Sequence, residues 1–147
     1  MNSKQSQYLE SKVLTAPPHR LHLMLIEGAL RFGRQAKELL DRGEQTSATT
    51  PLLRVVDIAG ELLAGVREQK TELNKKIADL YWFLFRRTSE AKIYSDIAAL
   101  TEVLELLEFE RQTWQMVCDK LSDGPGNAAN APRKPSEKFT ASFSLEA

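Results

Sequence analysis

The chain has one cysteine, Cys118, in 147 residues. No disulfide can form within it, which excludes a crosslinked secreted scaffold and fits a reducing compartment. Charge of neither sign is in excess: Lys plus Arg and Asp plus Glu are both 20, so there is no electrostatic reason to expect nucleic acid or an anionic membrane as partner. Long apolar runs are missing as well. The longest, YWFLF from Tyr81 to Phe85, is far short of the ~20 residues that cross a bilayer, and the opening MNSKQSQYLESKVL carries no signal-peptide core. The expectation is a cytosolic protein. Glycine-rich phosphate loops, a G-x-S-x-G elbow and HExxH spacing are all lacking, so neither an enzyme nor a cofactor is expected.

What is present is helical periodicity. Three breaks, at Gly43 to Pro51, Gln69 to Thr71 and Tyr94 to Asp96, separate four helical patterns. The first starts at the Pro17/Pro18 pair, with Thr15 as the nearest cap, and ends at Gly43. Leu21, Leu25, Ala29, Phe32, Ala36 and Leu39 form its expected core stripe. The second begins near Pro51 with Leu52, Val55, Val56, Ala59, Leu62, Leu63 and Val66 on one side. The third runs from Glu72 to Ile93, with Leu73, Ile77, Leu80, Tyr81, Leu84 and Ala91 inward. The fourth opens behind an Asp96 N-cap, and Leu100, Val103, Leu104, Leu107, Trp114, Cys118 and Leu121 share one face. No strand pattern competes. The fold class is all-α: an antiparallel up-down four-helix bundle over residues 16–121, with an N-terminal arm over 1–15 and a flexible, Gly/Pro/Ala-rich C-terminal tail over 122–147.

These helices carry more apolar surface than one core needs. At 100° per residue, Leu23, Ile26 and Leu30 lie roughly opposite the stripe assigned to helix one. Trp82 and Phe85 point away from Leu80 and Leu84, and Leu106 and Phe109 form a weaker excess on helix four. A centrally buried helix one with Trp82 and Phe85 covering bundle edges is the plain explanation. The functional one is a groove for a partner helix, built from Leu23, Ile26, Leu30, Tyr81, Trp82, Phe85, Leu106 and Phe109.

Read in order, VLTAPPHRLHLMLIEGAL at Val13 to Leu30 resembles the TASPxxLxxMLYDGAL-like phrase that opens the flagellar secretion chaperones, the FliS family. Leu80-Tyr81, Arg86-Arg87 and Glu90-Ala91 resemble that family's LYxYxxRRLxxAN segment. Glu102-Val103-Leu104, Leu106-Leu107 and Trp114 resemble its EVLxLLxxLRxxW segment, and Tyr8 matches its N-terminal tyrosine. The departures are Pro17 for the capping serine, Arg20 for the acid of the capping box, Ile26-Glu27 for Tyr-Asp, and Glu110 for leucine with Phe109 just before it. The resemblance implies a cytosolic chaperone that binds the C-terminal helical region of flagellin, prevents its premature polymerisation and delivers it to the flagellar type III export gate, without a cofactor. It also implies Tyr8 as a lid over the groove, against the alternative of a tyrosine that only anchors the arm. An adaptor touching an export-gate component or holding an anti-sigma factor, and a homodimer whose surplus stripes meet a second copy, stay open.

Other constellations carry less. His19 and His22, three apart with Glu27 nearby, lack a third ligand at regular spacing and read as surface histidines rather than a metal site. Glu102, Glu105 and Glu108 read as a solvated face, and Arg86 and Arg87 with Lys75 and Lys76 as ion-pairing groups. The terminal FTASFSLEA carries Phe139, Phe143 and Leu145, which reads as unordered tail or as a segment that docks into the protein's own groove.

Overall fold

The computed structural model describes Pro18 to Ser122, all in four helices and their short turns. They are α1 (Pro18–Asp41), α2 (Gln45–Arg67), α3 (Glu72–Tyr94) and α4 (Ile97–Ser122). Each packs against its neighbours in sequence, and α1 also packs against α4, which closes the ring; the α3–α4 seam is the least densely packed of the four. The all-α bundle expected from periodicity is the fold observed. Thr15, Pro17, Tyr8 and the segment carrying Phe139, Phe143 and Leu145 lie outside the described residues.

The turns show why the helices stop where they do. Gly43 has φ +79°, and behind it Gly43 N–H donates to Leu40 O at 2.9 Å and Glu44 N–H to Leu39 O at 2.8 Å. This paired termination needs a left-handed residue, which glycine adopts without a Cβ clash. Ser95 plays the same part after α3 with φ 53°. Its neighbour Asp96 donates its N–H to Ala91 O at 3.1 Å and accepts the Ala99 N–H on its carboxylate at 3.0 Å. One Ser-Asp pair therefore ends α3 and caps α4, as the Asp96 reading expected. Thr71 caps α3 through Asn74 N–H at 3.0 Å.

Two expectations need correction. Helix α2 starts at Gln45, not near Pro51, which lies inside it. Proline forfeits one backbone bond there, but the added turn places Ala48 fully in the core, and that packing sustains the helix. On α1 the inward face is rotated from the assigned one: Ala29 and Ala36 of the expected stripe are buried, but Leu23, Ile26 and Leu30 share the core with them, while Leu21, Leu25, Phe32 and Leu39 are only half-buried along one flank. The small residues decide between two apolar stripes. Gly28, Ala29, Gly33 and Ala36 are buried on the inner side, and a Cβ on Gly33 would stand 2.7 Å from Leu104 Cδ2. That face is the one that admits close neighbours.

Candidate functional site

Helix α3 is flanked by two seams, and anchors on either side fix which residues belong to each. Toward α2, Phe85 lies 3.6 Å from the position of a Cβ on Gly60, and Asn74 Nδ2 donates to Val66 O at 3.3 Å. Trp82 stacks on Phe85 with ring centroids 5.8 Å apart and planes 11° from parallel. The antiparallel register brings Leu53 and Ile93, both exposed, to the far end of this seam. Toward α4, Arg87 meets Glu102 at 3.0 Å and Tyr81 meets Glu110 at 2.9 Å. Here Leu73, Phe109, Met116 and Leu121 are exposed, and Ile77, Leu80 and Leu106 are half-buried against the core.

The residues expected to form one groove thus separate into three sets. Leu23, Ile26, Leu30 and Tyr81 are buried in the core, because they occupy the inward arcs of α1 and α3. Trp82, 47% exposed, and half-buried Phe85 line the α2 side; Phe109, 63% exposed, and Leu106 line the α4 side. Two apolar tracks, not one, run along α3. Leu73 and Leu121, expected inward, belong to the exposed apolar surface because each sits in a terminal turn with no neighbouring turn beyond it.

Between the tracks lies a buried polar node that ties three helices together. His22 Nε2 and the Tyr81 hydroxyl are 2.7 Å apart, and the hydroxyl donates to Glu110 Oε1 at 2.9 Å. With the hydroxyl proton directed at Glu110, His22 serves as the Nε2–H donor to Tyr81. Trp114 hydrogen-bonds to Tyr81 and Glu110 and stacks on His22 at 4.1 Å between centroids. Burial sets the ionisation: it lowers His22 to about 3 and raises Glu110, and burial followed by the Glu110 charge raises Tyr81 well above its ordinary value. His22 is therefore a buried neutral imidazole, contrary to its reading as a surface histidine. Sequence reasoning noticed Glu110 as an acid in a leucine position but did not connect it to Tyr81; the i, i+4 spacing of Glu110 and Trp114 on the inner arc was the available signal.

Several of the remaining charged groups pair across the surface. Arg86 and Arg87 bond Glu90, Arg87 also bonds Glu102, and Arg34 and Arg111 bond Glu108. The Arg111 hydrogen bond, then that of Gln112, holds the Glu108 carboxyl down at about 2. Among the described residues no group of three or more His, Cys, Asp or Glu is placed to hold a metal ion, and no helix is long and apolar enough to cross a membrane. Cys118 is buried, its thiol 3.6 Å from His19 O and raised by burial.

Comparison with known proteins supplies a family context for this geometry. The family model described as flagellar protein FliS matches residues 1–121. The flagellar secretion chaperone FliS of Salmonella typhimurium is 30% identical over 116 residues, covering 78% of this chain and 86% of the relative. The Bacillus subtilis flagellar secretion chaperone FliS is 29% identical over 108 residues, 74% of this chain and 80% of that protein. The Pseudomonas aeruginosa flagellar secretion chaperone FliSB is 29% identical over 115 residues, 78% and 91%.

Proposed function

The chain belongs to the FliS family of flagellar proteins, and from that premise we propose that it is a cytosolic export chaperone for flagellin. It holds the C-terminal helical region of flagellin against the apolar tracks beside α3, keeps that region from polymerising, and hands it to the flagellar type III export gate. The observation that carries this reading is the exposure of Trp82, Ile93 and Leu53 on one side of α3 and of Leu73, Phe109 and Met116 on the other, although the core is filled by other side chains. Exposed apolar surface between bundle helices suits an amphipathic helix.

Apolar burial supplies the binding energy at about 25 cal/mol per Å², set against the cost of ordering the guest, so no cofactor is needed. Tyr8, by the family resemblance, closes over the groove until flagellin displaces it. Seeded polymerisation of flagellin tests the function: a stoichiometric amount of the chain suppresses filament growth, and a Trp82→Ala/Phe109→Ala variant does so poorly. Unchanged growth with the wild-type chain contradicts the proposal. An anti-sigma factor or a second copy of this chain as the true occupant shows itself in that case as a stable complex formed without flagellin.

A further inference from the structure

The α2–α3 seam continues past Trp82 into a cleft of about 440 Å³, lined among others by Val66, Arg67, Lys70, Asn74, Lys75 and Ala78. Val66 and Asn74 are buried and make a fixed floor, since Asn74 donates its Nδ2 to Val66 O and its backbone N–H to the Thr71 hydroxyl. The mouth is charged and uneven. Arg67, Lys70 and Lys75 line it against the single acid Asp79. Lys75 lies 3.7 Å from Glu72, whereas Arg67 and Lys70 have no ion pair among the described residues. Glu68 and Glu72 lie in the same turn outside the cleft lining, so the cationic surplus belongs to the cleft mouth, where Arg67 and Lys70 face it.

We infer that the α2–α3 groove takes an amphipathic helix bearing carboxylates about two turns from the apolar residue it sets against Trp82 and Phe85, and therefore seats it in one orientation, acidic end toward the α2–α3 turn. The spacing comes from both walls. Arg67 follows Gly60, and Lys75 precedes Trp82, by roughly 10 Å of helix at 1.5 Å per residue. The apolar track supplies affinity without direction; the cationic end supplies the direction, because a reversed helix leaves its carboxylates over Leu53 and Ile93, where Arg54 is already paired with Asp57 and Lys92 is the one other cation beside them among the described residues. The chain's own Phe139, Phe143 and Leu145 are the weaker occupant: Glu146 stands two turns after Phe139, but Arg133, Lys134 and Lys138 against Glu137 leave the segment net basic, which the cleft repels.

This inference rests on the chaperone reading, and the C-terminal segment of the cognate flagellin is the probe. Calorimetric titration at low and high salt compares the wild-type chain with an Arg67→Glu/Lys70→Glu variant and with an Arg31→Glu/Arg42→Glu control, which makes the same charge change on exposed positions of α1 and the turn after it, away from the α2–α3 groove. Circular dichroism establishes that all three fold. The expected result is an affinity loss of about tenfold or more and a flattened salt dependence for the first variant, with the control within about twofold of wild type. Equal losses in both variants, or wild-type affinity in the first, overturn the inference and leave the chaperone reading standing. A wild-type chain that does not bind the segment overturns both.

Discussion

Tyr81→Phe deletes one oxygen from the node that joins α1, α3 and α4. Tyr81 is fully buried and Glu110 nearly so, at 7% exposure. The variant breaks two contacts, the 2.7 Å bond with His22 and the 2.9 Å bond to the Glu110 carboxylate. A neutral buried hydrogen bond contributes about 1 kcal/mol and one to a charged group about 1.5–3, so the expected loss is about 3 kcal/mol. For a domain of this size that lowers the melting temperature by roughly 10 °C. Glu110→Leu differs because it also removes the burial penalty on the carboxylate, and the Tyr81 hydroxyl can donate to His22 Nε2 once the imidazole takes its other tautomer. Its expected cost is within about 1 kcal/mol. In the double variant no carboxylate is left without its donor, so the combined loss falls short of the sum by about 1–2 kcal/mol. Urea unfolding followed by circular dichroism measures all three. A Tyr81→Phe loss below about 0.5 kcal/mol, or strict additivity, refutes the node as a coupled tie.

The other expectations concern pH, the tracks and a cap. His22 has its folded value lowered to about 3, so the unfolded chain takes the proton first: His22 favours folding fully above its ordinary value near 6.5, and that contribution falls as pH drops, by at most ~1.4 kcal/mol per unit. Glu110, raised, works in the opposite direction above the ordinary carboxylate value, so urea unfolding from pH 7 to 5 should show a decline shallower than the His22 limit, and a His22→Gln variant a flatter one. Trp82→Ala removes the 47% of the side chain left exposed, about 120 Å² of a ~250 Å² ring system, worth at most ~3 kcal/mol at 25 cal/mol per Å²; fluorescence anisotropy with a labelled flagellin segment should show an affinity loss of about tenfold or more, and an undiminished affinity excludes that track. Asp96→Ala loses the α4 cap, with an expected cost of about 1 kcal/mol by thermal melting.

The helices were legible because each needs only one apolar stripe and the breaks carry recognisable chemistry: Gly43 in the left-handed region and Asp96 as a side-chain acceptor were both anticipated. Less legible was which stripe of α1 faces inward, since two were apolar and large residues alone could not choose. Gly28 and Gly33 held that information as buried positions against α2 and α4. Trp82 with Phe85 and Leu106 with Phe109 were recognised as surplus, but a wheel drawn for one helix cannot tell which neighbour stands on which side. Only the packing of Phe85 on Gly60 and of Arg87 on Glu102 separates them into two tracks. The His22–Tyr81–Glu110 node was unforeseen for a related reason: its members are 59 and 29 residues apart, and polar groups read singly look like surface.

Calorimetric titration of the chain with the C-terminal segment of its cognate flagellin tests the central claim most directly. One-to-one binding with a negative heat-capacity change is the expected result, the mark of apolar burial on the tracks beside α3. Absence of binding at concentrations where the bundle is folded contradicts it.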